Sequence, residues 1–197
     1  MVSTLNLLTL LSAPGRSDFG GTIAAVGGET TANSSKIVAK AIVDGGTVTN
    51  VKGRNASDVT INESEVIVKN GANVTSLIGI NGGNHTGDLT ITIGKDAKDT
   101  ATVKELVAAK GDYTLSGWSK LNVLGGTLGA ANGTTAVYTT SGGAGALGTV
   151  NTITGGTFKG GFIGAYTTGA MESVGAVTNN VTGGQFLLTF VGGSAGY

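Results

Sequence analysis

The chain has 197 residues, of which 40% are hydrophobic, 36 are glycine and one is proline. This length suits one domain, and the aliphatic content is too high for a disordered glycine-rich tract, so we expect a buried core. The twelve basic and twelve acidic residues leave no net charge, which argues against a surface that binds nucleic acid or an anionic membrane. The absence of cysteine excludes disulfides and thiolate metal sites.

The chain starts with an apolar run. Its leucines include Leu5, Leu7, Leu8 and Leu10. A signal peptide is the less favoured interpretation, because no basic segment precedes the run and Asn6 and Thr9 interrupt it. No stretch of the chain reaches the roughly 18 to 20 apolar residues that a membrane span needs. We predict a strand here, and we assign residues 1–19 to an N-terminal strand that serves as a cap or as an assembly segment.

From residue 20 to residue 190 one pattern recurs every 25 to 30 residues. A turn residue is preceded, two positions earlier, by Val or Ile. The turn residues are Gly45, Asn70, Lys95, Gly125, Gly155 and Gly183, and the aliphatic residues are Val43, Val68, Ile93, Val123, Ile153 and Val181. Gly20 is a weaker first member, because Asp18 fills its aliphatic position. Self-similarity at this period, with many short β-branched runs, is typical of a β-solenoid.

The strand signals within one repeat support this interpretation. Leu89, Ile91 and Ile93 share one face of an alternating segment, and Thr90 and Thr92 share the other, as a half-buried strand requires. A coil of this length holds about three short strands and their turns. We therefore predict an all-β parallel β-helix of about seven coils, right-handed because parallel crossovers usually are. The six aliphatic residues should stack in one interior ladder.

The turns and one interior segment deviate from the repeat. Paired glycines, which permit positive φ and close approach of coils, occupy most turns but are missing after Asn70 and at Lys95. The segment from Thr102 to Lys110, closed by Gly111, has the length and glycine stop of two helical turns. We prefer a strand from Thr102 to Val107 within a longer fourth coil.

The C-terminal end combines apolar side chains with a lack of charge. Beyond Leu121 only Lys159 and Glu172 carry formal charge. The apolar residues near the end include Phe186, Leu188 and Phe190. Solenoids normally cover their terminal coils, and neither end of this sequence shows a cap. We expect the two ends to stack on other molecules; the alternative is that the terminal strands fold back as caps. Residues 191–197 are assigned to a tail.

Residues with catalytic potential are few. His85 is the only histidine, and one imidazole beside a glycine-rich turn does not make a catalytic set. The stretch from Asn81 to Asp88 is superficially similar to the calcium nonapeptide. However, His85 stands where its third glycine should be and Gly87 where its aspartate should be. Asp96 and Asp99 alternate with lysines, which indicates a solvated charged face. We predict no catalytic, metal or cofactor site.

Three segments carry a family resemblance. They share an Asn-containing strand that leads into Gly-Gly and, one residue later, a hydrophobic residue. They run from Leu121 to Leu128, from Val150 to Phe158 and from Val177 to Phe186. This pattern resembles the repeats of bacterial surface β-helix proteins, including the passenger regions of autotransporter adhesins. The resemblance implies a right-handed parallel β-helix, export to the cell surface, and an adhesive or scaffolding role.

These observations lead to one preferred function and two alternatives. We expect residues 1–197 to form a single extracellular or cell-surface β-solenoid that is structural or adhesive, is not an enzyme, and assembles end to end into a filament or surface layer. Its expected partner is itself, with surface glycans as a further candidate. One alternative is a parallel β-helix protein that binds or cleaves carbohydrate. The other is a fragment of a longer surface adhesin.

Overall fold

The computed structural model describes residues 4–11, 22–24, 38–55, 63–85, 87–115, 117–130, 135–140, 147–167, 175–192 and 194–195. These residues form eighteen strands in two sheets. In order across the seven-stranded sheet they are β1 (Thr4–Leu11), β3 (Val38–Asp44), β5 (Glu63–Lys69), β7 (Leu89–Ile93), β9 (Trp118–Val123), β12 (Gly148–Ile153) and β15 (Ala176–Val181). The eleven-stranded sheet contains β2 (Thr22–Ala24), β4 (Thr47–Asn55), β6 (Asn73–His85), β8 (Thr102–Leu115), β10 (Thr127–Leu128), β11 (Thr135–Thr140), β13 (Thr157–Phe158), β14 (Gly161–Thr167), β16 (Gln185–Phe186), β17 (Phe190–Val191) and β18 (Ser194–Ala195).

The chain passes alternately through the two sheets, and every strand pair described is parallel. Parallel neighbours that follow one another every 25 to 30 residues are the defining arrangement of a β-solenoid, so the predicted all-β parallel fold is confirmed. The prediction of seven coils is slightly too high, because not every coil forms a complete turn among the described residues. The first turn is described only through β1 and β2, and the last turn has no described coil stacked on it.

The aliphatic residues of the repeat lie opposite one another in the seven-stranded sheet. Successive register partners are Val43, Val68, Ile93, Val123, Ile153 and Val181. The first five are completely buried, whereas Val181 in the last coil is 43% exposed. Two further columns cross the eleven-stranded sheet. They consist of Val48, Val74, Val103, Leu128, Phe158 and Phe186, and of Val51, Leu77, Leu106, Val137, Phe162 and Phe190.

The first coil has a different register from the one predicted. Gly20 and Asp18 lie outside the described residues, but Leu10 lies directly opposite Val43, in the place that the repeat assigned to Asp18. The strand β1 also contains a register shift between Asn6 and Thr9. The assignment of Asp18 to this place was wrong, because it assumed that the first two coils are 25 residues apart. The connection between Leu10 and Val43 is longer than that.

The segment from Thr102 to Lys110 forms part of strand β8 and not a helix, as we preferred. Val103 and Leu106 are buried while Lys104 and Glu105 are exposed. Both sides of β8 are paired, with β6 on one side and with β10 and β11 on the other. The hydrogen bonds to these neighbours outweigh local helix propensity, which tertiary context routinely overrides. Within the described ranges, no helix is long and apolar enough to cross a membrane.

Replacement of Ile93 by alanine tests the interior ladder. Ile93 is completely buried between Val68 and Val123, so Ile93→Ala should lower the free energy of unfolding by about 2–5 kcal/mol through lost burial and a residual cavity. The matched control is Thr92→Ala in the same strand, where the side chain is only half-buried and the loss should stay under about 1 kcal/mol. Denaturant unfolding followed by far-UV circular dichroism would measure both. Equal losses would contradict the placement of Ile93.

Candidate functional site

The last coil exposes apolar side chains that have buried counterparts in earlier coils. Val177, Asn179 and Val181 of β15 pair in register with Thr149, Asn151 and Ile153 of β12, which are buried. The same alternation places these three β15 residues on the interior side of the coil. We name as the C-terminal face the exposed apolar residues Val177, Val181, Leu187, Leu188 and Phe190, whose exposed fractions range from 38% to 51%.

The backbone of β15 also presents an open edge on this side. In earlier coils the carbonyl oxygen of an interior-facing residue accepts a hydrogen bond from the following coil. The carbonyl of Val123 accepts from the amide of Thr154, and the carbonyl of Ile153 accepts from the amide of Thr182, each at 2.9 Å. The amide of Ser64, another interior residue, donates to the following coil as well. By the same alternation the N–H and C=O groups of Val177, Asn179 and Val181 point away from β12. Such an edge is a template for a further strand.

A short asparagine ladder crosses the interior of the last two coils. The Asn151 side-chain amide donates to the carbonyl of Gly164, at 2.6 Å, and to Oδ1 of Asn179, at 2.8 Å. Asn179 donates in turn to the carbonyl of Gly192, at 3.1 Å. Each asparagine therefore links the two walls of its own coil, and Asn151 also reaches the next coil. These bonds engage the side-chain N–H groups of both asparagines, which would otherwise be costly inside the solenoid.

Stacked phenylalanines hold the last coil to the one before it. The rings of Phe158 and Phe186 are stacked with centroids 4.4 Å apart, and those of Phe162 and Phe190 are stacked at 5.0 Å. Phe158 and Phe162 are completely buried, Phe186 is partly buried, and Phe190 is 38% exposed. In both columns the exposure of the phenylalanine therefore increases toward the C-terminal face.

The structure places the predicted assembly residues at two opposite edges. Phe186, Leu188 and Phe190 belong to the last coil, where Leu188 is 42% exposed. Leu5, Leu7, Leu8 and Leu10 belong to β1, the edge strand at the other end of the seven-stranded sheet. Val177 and Leu187 were missed by sequence reasoning, and so was the polar Asn179 between the valines. The alternation Val-x-Asn-x-Val in this segment was the available signal. The predicted tail includes β18, which pairs with β14.

Asp99 has a structural role at a turn that lacks the paired glycines. Its carboxylate accepts backbone N–H groups from Asn70 and Gly71 of one coil and from Lys95 and Ala101 of the next, at distances between 2.8 and 3.1 Å. One side chain thus holds two successive turns together. At a turn with paired glycines, the backbones of successive coils approach each other closely without a bridging side chain. A Cβ on Gly125 would collide with the carbonyl oxygen of Asp96, and Gly126 has a φ of 89°, which favours glycine.

The assignment of Asp99 to a solvated charged face was wrong, because only 8% of the residue is exposed. Burial by itself raises the pKa of the carboxyl group, but the four backbone donors outweigh it and hold the pKa of Asp99 below its ordinary value of 3.8. An open depression of about 420 Å³ lies beside this turn, with Lys95, Asp96 and Lys98 on its rim. A carboxylate that is engaged by four backbone amides is a poor proton donor, so Asp99 is unsuited to the general-acid step of glycoside hydrolysis.

The remaining candidate residues do not form a chemical cluster in the described part of the chain. His85 is the last residue of β6 and lies opposite Leu115. Among the described residues, no group of three or more histidine, aspartate or glutamate side chains could hold a metal ion. Several charged residues form pairs between adjacent strands, Lys40 with Glu65 at 2.6 Å and Lys69 with Asp44 at 3.2 Å. The hydrogen bond from the Asn70 side chain and the nearby Lys69 lower the pKa of Asp44.

Replacement of Asp99 by asparagine tests the turn. One of the two carboxylate oxygens would become an NH₂ group that faces backbone donors, so Asp99→Asn should lower the free energy of unfolding by about 2–4 kcal/mol. The matched control is Asp96→Asn in the same turn, where the carboxylate is exposed and accepts one amide, from Lys98. The control should lose less than about 1 kcal/mol. Similar losses for the two variants in denaturant unfolding would refute the role given to Asp99.

The lowered pKa of Asp99 also predicts a pH dependence. A group whose pKa is lower in the folded state contributes stability that is present above its unfolded pKa, near 4, and that is lost as the pH falls toward the folded value. The wild-type chain should therefore lose stability below about pH 4, and the Asp99→Asn variant should lose less over the same range. Thermal unfolding at a series of pH values would show this. Parallel curves for the two proteins would contradict it.

Comparisons with protein-family models, curated proteins and solved structures found no match to this chain. The β-solenoid architecture accordingly rests on the strand pairing and burial described above. The similarity to surface adhesins rests on the three sequence segments alone, and it enters only as support for a proposal about function.

Proposed function

We propose that this chain is a structural or adhesive β-solenoid of the cell surface or extracellular space, and that it associates end to end with copies of itself. The observation that carries the proposal is the C-terminal face. There, interior-facing side chains of the last coil are exposed beside an open strand edge. In the preceding coil the positions equivalent to Val177, Val181 and Phe190 are completely buried, at Thr149, Ile153 and Phe162. A second molecule can supply that cover.

The energetic reason for association is the burial of apolar side chains. Complete burial of a valine, leucine or phenylalanine side chain contributes about 1.5–3 kcal/mol relative to full exposure. The five residues of the C-terminal face are already about half-buried, so each retains roughly half of this contribution. Pairing of the exposed strand edge would add backbone hydrogen bonds. Part of this gain is offset by the entropy lost when two molecules become one.

The charge distribution supports a contact between identical molecules. Residues 175–192 contain no charged side chain, whereas the earlier coils carry ion pairs such as Lys40 with Glu65. Two identical charged surfaces repel one another, and an uncharged surface does not. Sparse surface charge also reduces the repulsion that keeps proteins monomeric. The uncharged coil is therefore suited to a homotypic contact.

The proposed location and adhesive role have less direct support. They rest on the resemblance of the repeats to surface β-helix proteins and on a rod-like architecture that can present a long lateral surface. Extension into a filament or layer needs a second contact in addition to the C-terminal face. The edge strand β1, with its four leucines, is the candidate for that second contact. Surface glycans are candidate ligands of the lateral surface.

Replacement of Val181 by lysine tests end-to-end association. Val181 is 43% exposed on the C-terminal face, so the variant should fold, and a buried charge in the contact should weaken association at least tenfold. The matched control is Leu147→Lys, because Leu147 is 53% exposed but precedes β12 and lies outside the last coil. The control should associate like the wild-type chain.

Sedimentation velocity over a wide range of protein concentrations would measure association, and negative-stain electron microscopy would show whether rods or layers form. If the wild-type chain is strictly monomeric at high concentration and low salt, the proposed function is wrong. Equal weakening by Val181→Lys and Leu147→Lys would exclude the C-terminal face as the contact.

A further inference from the structure

Asn70 and Gly71 form a dipeptide that is chemically prone to deamidation. Because glycine has no side chain to obstruct its own backbone nitrogen, that nitrogen can attack Cγ of the preceding asparagine. The new N–C bond closes a succinimide ring, the Cγ–Nδ2 bond breaks, and ammonia leaves with the proton of the Gly71 amide. Water then opens the ring to aspartate or isoaspartate. The side chain of Asn70 is exposed, so water and hydroxide reach it.

The nitrogen that would attack is held by Asp99. The Gly71 amide donates to Oδ1 of Asp99 at 3.1 Å, and the Asn70 amide donates to Oδ2 at 2.8 Å. Attack requires the Gly71 nitrogen to lose its proton, and the negative charge of the carboxylate beside it disfavours a second negative charge on nitrogen. Because only 8% of Asp99 is exposed, this repulsion acts in a medium of lower dielectric than water.

The conformation of the turn also keeps the reacting atoms apart. Asn70 has a φ of 55° and Gly71 a φ of 72°, both in the left-handed region. In that region the nitrogen of the following residue points away from the asparagine side chain. Ring closure therefore needs a rotation of the peptide unit between Asn70 and Gly71, and this rotation breaks the bond from Gly71 to Asp99. The leaving group is held as well, because Nδ2 of Asn70 donates to Oδ1 of Asp44 at 2.5 Å.

We infer that Asn70 is a deamidation site gated by Asp99, and that it reacts only when the turn opens and releases the Gly71 amide. This inference concerns the stacking of coils within one chain and is independent of the proposed function. Either product hinders closure of the turn. An aspartate at position 70 places a second carboxylate beside Asp44, and an isoaspartate lengthens the backbone between the two amides that Asp99 binds.

The Asn-Gly pairs at residues 70–71, 81–82 and 132–133 provide an internal comparison. Peptide mapping by mass spectrometry, after incubation of the full chain at mildly alkaline pH, would give the deamidation rate of each pair. In denaturant the three rates should be similar, because the dipeptide is the same. In the folded chain Asn70 should react at least about tenfold more slowly than in denaturant, because the turn is open for only a small fraction of the time. Equal rates at Asn70 in the two conditions would refute the inference.

A pair of variants tests whether Asp99 is the gate. Asp99→Asn removes the charge beside the Gly71 amide and should raise the rate at Asn70 by about tenfold, with smaller changes at the other two pairs. The matched control Asp96→Asn, whose carboxylate accepts one amide in the same turn, should leave the rate at Asn70 unchanged.

An unchanged rate at Asn70 in Asp99→Asn, or an equal rise at all three pairs, would overturn the inference, and so would an equal rise in Asp96→Asn. If Asp99→Asn does not fold, hydrogen exchange of the wild-type chain decides. Exchange of the Gly71 amide should be slowed by the fold at least as much as deamidation of Asn70 is. Exchange of this amide as fast as in the unfolded chain would refute the gate.

Discussion

The structure depends on parallel, in-register hydrogen bonding between successive coils. Because each strand pairs with the equivalent strand of the next coil, a side chain packs on the residue that occupies the same position one repeat later, as Val68 packs on Ile93. This constraint turns a weak periodicity in the sequence into continuous columns of buried side chains. It also means that any substitution in a column is felt by the coils on both sides.

The two walls of the interior change composition in opposite directions over three successive coils. In the seven-stranded sheet, one column shrinks from Leu89 to Ser119 and Thr149. In the eleven-stranded sheet the residues grow over the same coils, from Val103 and Leu128 to Phe158. Interiors are packed at nearly constant density, so a loss of volume on one wall has to be matched on the other.

Much of the fold followed from periodicity, and the parts that did not follow depend on contacts distant in sequence. The register of Val43, Val68 and Ile93 could be read from residue spacing because those coils have equal length. The place of Leu10 could not, since the connection before Val43 is longer. The role of Asp99 was hidden for another reason: its partners Asn70 and Gly71 lie 29 and 28 residues away. A sequence shows that a carboxylate is present, and only the fold shows which amides surround it.

The stacked phenylalanines have a consequence for how the rod comes apart. A terminal coil of a solenoid has a neighbour on one side only, so it opens at a lower free energy than the coils within. Here the ring pairs Phe158 with Phe186 and Phe162 with Phe190 are the principal aromatic anchors of that coil. A ligand that binds only the closed coil must therefore shift the coil from its open to its closed state. The apparent affinity of that ligand is reduced by the fraction of time the coil is open. The aromatic stack thus sets how often the last described coil is closed.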